Sequence, residues 1–154
     1  MPLPTLEKDV DHYTPESFTL TESVGFAINK ARNLLVAELD ASLKDLDITT
    51  QQMGILLSMR GGVTQTPFEL SKLLGIDTGL MTRMLDKLEA KGLLQRARSL
   101  EDRRVVNLTL TREGEKVAQE LPHIVPVVLN GRLRKFNRSE FKEFLRLLNK
   151  FLED

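Results

Sequence analysis

The residues of this 154-residue chain best equipped for chemistry lie between Thr78 and Arg104, and that chemistry is recognition of a polyanion rather than bond making. Arg96, Arg98, Arg103 and Arg104 bring four guanidinium groups close together in sequence, each a planar fork of donors that matches phosphate oxygens and base edges. Asp102 stands two residues before Arg104, so in an extended segment the two side chains project together and the carboxylate can hold the guanidinium outstretched. An outstretched arginine suits a narrow, electronegative minor groove, and Arg96, Arg98 and Arg103 around it can meet phosphates. Upstream, Thr78, Gly79, Thr82, Arg83 and Asp86 fall on one side of a helical period, while Leu80, Met81, Met84, Leu85 and Leu88 fall on the other. The polar side has short side chains near the helix start and an arginine one turn in, so it can approach base edges while backbone amides meet phosphate. The plainer alternatives are an ordinary amphipathic helix pair and a surface hairpin with a structural ion pair.

Those residues need a helix-turn-helix and a hairpin to position them, and the flanking sequence carries the signals for both. Thr66-Pro67-Phe68-Glu69 combines a capping threonine, proline at the first helical position and glutamate at the third, which predicts a short helix from Pro67 to Leu74. Gly75 supplies a left-handed turn residue, and Asp77 caps the helix that follows. Ser71, Gly75 and Met81 sit where a helix-turn-helix needs a small residue, a turn residue and a core residue. Gly92 ends that helix, Leu93 to Arg98 and Arg104 to Leu110 alternate as strands, and Ser99 to Arg103 is a connection of hairpin length.

On the N-terminal side, residues 1–17 read as an arm, followed by a long first helix from about Leu20 to Leu46. A second helix, capped by Thr49 with Gln52 as its reciprocal partner, runs to about Arg60 and stops at Gly61-Gly62. On the C-terminal side, Thr111 caps a fifth helix, and Asn137 caps a sixth in which Phe141, Phe144, Leu145, Leu148, Phe151 and Leu152 form an apolar stripe. Pro122 and Pro126 predict a kink or a break near His123, which could fit the helix to a partner or free carbonyls beside a pocket. The expected fold class is mainly α, a winged helix-turn-helix with long N- and C-terminal helices.

Composition limits the remaining possibilities. Apolar residues make up 41% of the chain, enough for a core, and aromatics only 5%, which favours helices over a sandwich or barrel. The net charge is zero but unevenly spread: residues 1–50 hold 4 basic and 9 acidic side chains, 51–112 hold 10 and 6, and 113–154 hold 8 and 7. The basic excess coincides with the candidate reader, and local potential rather than total charge attracts phosphate. The chain has no cysteine, which excludes disulfides, Cys-ligated metals and thiol redox sensing. His12 and His123 alone make no metal site, so no metal or cofactor is expected. The N-terminus lacks a secretory pattern and no apolar run is bilayer-length, so a cytoplasmic protein without membrane contact is expected. No phosphate-cradling glycine loop and no nucleophile beside a base is present, and an enzyme is not expected.

Residues 70–112 then show Leu73-Leu74-Gly75-Ile76, the run from Leu80 to Leu93, Glu101-Asp102-Arg103-Arg104 and Leu108-Thr109-Leu110-Thr111-Arg112-Glu113-Gly114. In these motifs the chain resembles the MarR family of bacterial transcriptional regulators, most specifically in the Asp-Arg-Arg wing and the Leu-Thr-x-x-Gly lead into the next helix. The resemblance implies a homodimeric winged helix, usually a repressor, whose fourth helix enters the major groove while Arg104, oriented by Asp102, enters the minor groove. It also implies release of DNA by a small, commonly aromatic and acidic effector bound between the dimerisation and DNA-binding regions. By position, the polar residues for such a ligand are Arg32, Asn33, Gln51 and His123; Arg32 could pair with a carboxylate or form an intersubunit ion pair.

The organisation expected is an N-terminal arm and dimerisation helix over residues 1–46, a winged-helix DNA-binding region over 47–111, and C-terminal dimerisation helices over 112–154. A compact winged helix needs only about the middle half of the chain, so the long outer helices point to a shared interface. Two readers in a dimer, roughly 34–36 Å apart, fit a near-palindromic site on double-stranded DNA. The alternative is a winged-helix module that serves a protein partner without specific DNA recognition.

Overall fold

A computed structural model of the chain describes residues 10–63 and 65–154; the first nine residues of the expected arm lie outside the described residues. Among the described residues, six α-helices and one hairpin follow in order: α1 (Val24–Leu43), α2 (Thr50–Met59), α3 (Pro67–Leu74), α4 (Thr78–Ala90), β1 (Leu94–Arg98), β2 (Val106–Leu110), α5 (Arg112–Leu133) and α6 (Arg138–Leu152). The chain divides into two compact units, one up to Leu34 and one from Leu35.

In the first unit the described part of the arm is non-helical, as expected. Thr14 and Ser17 close a small turn through their hydroxyls and amides, and the Tyr13 hydroxyl accepts the amide of Val24 at 2.9 Å, capping the start of α1. That helix is shorter than its apolar spacing predicted: the residues on either side, Leu20–Glu22 and Lys44–Leu46, wind into 3-10 turns. Asp47, with φ of 54°, reverses the chain after the second turn, so the apolar pattern continues past the point where α-helical hydrogen bonding stops.

In the second unit the core gathers Leu39 and Leu43 of α1, Ile55, Leu56 and Met59 of α2, Leu70, Met81, Leu85 and Leu88 of the helix-turn-helix, Leu94 and Leu108 of the hairpin, and Ala118 and Leu121 of α5. Helix α2 packs on α3, α4, α5 and β2, so these elements share it as a platform. Both halves of its predicted capping box are present: Thr49 Oγ1 accepts from Gln52, and Gln52 Oε1 accepts from Thr49. Among the described residues, no helix is long and apolar enough to cross a membrane.

Two departures concern the C-terminal helices. Helix α5 runs unbroken from Arg112 to Leu133 through both prolines, so the expected break near His123 is absent. Ala118 and Leu121 in the helical turn before Pro122 are fully buried, and that packing offsets the lost amide donors. Helix α6 is fixed at its start by Asn137 and Glu140 in a reciprocal box, yet it buries none of its residues: Phe141, Phe144, Leu145, Phe151 and Leu152 are exposed.

Thr66 accepts the Glu69 amide at 3.1 Å and starts α3 together with Pro67. Thr66→Ala is therefore expected to lower stability by about 1 kcal/mol, read as a drop in urea midpoint at unchanged slope. No shift would mean that Pro67 alone sets the helix start.

Candidate nucleic-acid interface

Helices α3 and α4 meet through a turn that the sequence dictates residue by residue. The amides of Gly75, with φ of 64°, and of Ile76 both bond to the Ser71 carbonyl, a reversal that an L side chain at Gly75 would resist. Asp77 then accepts the Leu80 amide at 2.9 Å and starts α4. Met81, Met84, Leu85 and Leu88 are buried, which rotates Thr78, Gly79, Thr82, Arg83 and Asp86 to the surface. A Cβ on Gly79 would stand 3.3 Å from Asp77 Oδ1, so glycine keeps both the cap and the approach to the helix start unobstructed. The Thr82 hydroxyl donates to the Thr78 carbonyl, leaving its oxygen free to accept from a base or water.

The hairpin is antiparallel, with Leu94 opposite Leu110, Arg96 opposite Leu108 and Arg98 opposite Val106. Gln65 pairs with Leu108 through two backbone bonds and so ties the hairpin to the segment before α3. The strands are shorter than predicted because the loop takes up residues 99–105. Ser99 accepts the amides of Glu101 and Asp102, Arg98 Nη1 donates to the Arg103 carbonyl at 2.8 Å, and the Val105 amide returns to the Asp102 carbonyl. Asp102 and Arg104 thus stand in a turn rather than the extended segment expected.

In this turn the pair is bidentate. Asp102 Oδ1 accepts both the Arg104 amide at 3.0 Å and Nε at 3.1 Å, while Oδ2 accepts Nη2 at 3.1 Å. The Arg104 guanidinium, and secondarily its amide, hold the Asp102 carboxyl below the usual carboxylate range. Two of the five guanidinium donors face Asp102, which leaves three for an acceptor outside the chain. The Arg104 side chain is 90% exposed, so the pair acts as a stiffened, solvent-facing tip.

The remaining expected contacts divide. Arg83 and Arg103 are exposed and pair with no carboxylate among the described residues, and Arg98 is exposed while bracing the loop. Arg96 is placed differently: its guanidinium is engaged by Asp86 and Glu89 of α4. Of the expected effector residues, Arg32 and Asn33 are exposed on α1 in the first unit. In the second, Gln51 on α2 and His123 on α5 are each exposed and, among the described residues, hydrogen-bond to no side chain. An open groove of about 600 Å³ between α1 and α5, lined by Glu38, Ser42, Val127, Gly131 and Arg132, includes neither Gln51 nor His123. No described cluster of three or more His, Asp or Glu is arranged to hold a metal.

Gly114 is a determinant that spacing did not reveal. A Cβ there would lie 1.9 Å from the Leu93 carbonyl oxygen, which accepts the Thr111 amide at 3.1 Å. The Thr111 hydroxyl donates to the Gly92 carbonyl and accepts the Gly114 amide, so the start of α5 is fastened to the start of the hairpin. Only the recurrence of Leu-Thr-x-x-Gly in the resemblance signalled it.

A polar helix face beside an arginine-tipped hairpin defines the class, a winged helix-turn-helix reader of DNA. The MarR family's sequence profile matches residues 48–106. The multiple antibiotic resistance protein MarR of Escherichia coli is 36% identical over 108 residues, which span 70% of this chain and 73% of that protein. An organic hydroperoxide resistance transcriptional regulator of Bacillus subtilis is 28% identical over 148 residues, 96% of both chains. A mutant E. coli MarR, crystallised with operator DNA, superposes with a TM-score of 0.78 at 32% identity over 84% of this chain and 93% of that one. The chain belongs to the MarR family: it is a winged-helix, DNA-binding regulator of transcription and not an enzyme.

Proposed function

We propose that this protein is a homodimeric repressor that binds a near-palindromic operator and leaves it when a small aromatic acid binds. The observation that carries the DNA part is the bidentate Asp102–Arg104 clamp at the tip of the wing, beside the exposed Thr78, Gly79, Thr82 and Arg83 face of α4. Such a clamp holds a cation outstretched at no further cost when it meets a narrow minor groove, while the short polar side chains of α4 suit base edges in the major groove. The dimer part rests on α6, whose Phe141, Phe144, Leu145, Phe151 and Leu152 are exposed in one chain and sit at helical spacing suited to a facing helix. In this reading residues 1–46 and 112–154 form the dimer interface and 47–111 bind DNA.

The test is selection of bound duplexes from a random pool at one fixed, near-physiological salt concentration, with the mass of the free protein measured by light scattering. An inverted repeat with half-site centres about 10 base pairs apart, or a small multiple of that, supports the reading. A folded dimer that enriches no sequence would transfer support to a protein-interaction module. Effector release is the further step, and Arg32, an exposed guanidinium on α1, is the group assigned to its carboxylate. Arg32→Ala is expected to keep operator binding and lose release by aromatic acids; release at unchanged acid concentration would remove Arg32 from that role.

A further inference from the structure

Arg96 differs from the other arginines of the reader in where its charge goes. Its side chain is 30% exposed, against 90% for Arg104. Its Nη2 lies 2.7 Å from Asp86 Oδ1 and its Nε 3.7 Å from Glu89 Oε2, so one guanidinium spans two carboxylates about a helical turn apart on α4. The strand explains why it reaches them. Leu94 and Arg96 are two residues apart in β1 and share a face, and Leu94 is buried against the core. Where that apolar face runs out, the arginine stem continues along α4 and its head closes the contact by charge.

The mechanical context gives the contact a role. An isolated two-stranded hairpin is marginally stable and has no fixed direction of its own. Here buried Leu94 and Leu108 and the Gln65–Leu108 bonds hold the base of the hairpin, and the Arg96 ion pairs are what join its side chains to the outer face of α4. A wing that swung freely would lose orientational freedom on engaging a groove, and that loss opposes binding. Uncompensated, Asp86 on the exposed face of α4 would also repel phosphate. We infer that Arg96 is a positioning residue: through Asp86 and Glu89 it fixes the wing relative to α4, so that helix and wing tip meet their two grooves together, and it does not itself contact phosphate. This rests on the DNA-binding reading of the same site.

The test has one arm without DNA and one with it. The chain contains no cysteine, so spin labels can be placed by Lys87→Cys on α4 and Glu101→Cys on the wing, both exposed positions, and their distance distribution measured in the free protein. Arg96→Ala is expected to broaden that distribution. In the second arm, the unlabelled Arg96→Ala protein should bind the selected duplex about 5- to 30-fold more weakly, and Arg104→Ala should cost less in the Arg96→Ala background than alone, because coupled residues are non-additive. An unchanged distance distribution, or a full-sized Arg104 effect in the double variant, overturns the inference. If Arg96→Ala does not fold, Arg96→Lys, which keeps the charge but loses the two-carboxylate fork, enters the same cycle with the same criteria. Failure of the unsubstituted protein to hold any duplex would overturn the DNA reading itself, an outcome the distance measurement distinguishes because it involves no DNA.

Discussion

Arg104→Ala is expected to weaken binding to the selected duplex by about 1–3 kcal/mol per substituted wing, roughly five- to 150-fold, while leaving the fold intact. The fold should survive because the Arg104 side chain projects into solvent and its carboxylate partner Asp102 stands at the same tip. What is lost is the part of the wing able to enter a groove. Fluorescence anisotropy at fixed salt, with urea unfolding as the control, measures both halves; equal affinity at equal stability would remove the wing tip from the interface. Asp102→Asn is the milder companion: the amide oxygen can still accept the Arg104 amide, but the bidentate charged pairing is gone. The pH behaviour follows from the same pair. Asp102 has its folded pKa depressed, by the Arg104 guanidinium first and the Arg104 amide second. The clamp is therefore fully formed above the unfolded carboxylate value, about 3.9, and is lost only as pH falls through the lower folded value. Wing-dependent affinity should show no step from this group between about pH 5 and 8; a step there, abolished by Asp102→Asn, would contradict the assignment.

Gly114→Ala is expected to be the most damaging single-methyl change in the molecule. The added carbon would sit 1.9 Å from Leu93 O and 2.9 Å from Leu93 C. Both atoms belong to backbone, so no side-chain rotation relieves the clash; either α5 or the start of the hairpin must move. Moving either pulls on the Thr111–Leu93 bond and on the Thr111 hydroxyl bridge to Gly92. A loss of about 3 kcal/mol or more is expected, measured by urea unfolding at matched protein concentration. A change below about 0.5 kcal/mol, the range of ordinary surface substitutions, would show that the helix start can slide without cost. Because α5 begins directly at the end of the wing, the variant should also lose DNA affinity at concentrations where it remains folded.

Much of the reader is local in sequence, and this is why it could be recognised there. A cap needs only a side chain and an amide three residues on, so Thr49, Thr66, Asp77, Thr111 and Asn137 all fixed helix starts where the spacing placed them. The buried face of α4 follows from a period, and the period is visible without coordinates. Asp102 and Arg104 are close enough in sequence that their pairing was legible even though the turn carrying them was not: a loop of seven residues is shaped by Ser99, Arg98 and backbone bonds together. The Arg96 ion pairs were not legible for the opposite reason, since Asp86 and Glu89 are ten and seven residues away and are brought to it only by the hairpin folding back against α4.

The sequence by itself determined the helix starts, the turn at Gly75, the apolar faces and the charged tip of the wing, because each depends on neighbours within about one turn or one hairpin. The tertiary structure decided the rest. It kept α5 continuous through Pro122 and Pro126 by burying Ala118 and Leu121. It left the α6 stripe uncovered within one chain, required a glycine at position 114 through a contact with Leu93, and turned Arg96 inward to α4 while leaving Arg104 outward. These outcomes hang on distances between residues remote in sequence, and such distances are set by how elements pack, not by the order in which their residues are written.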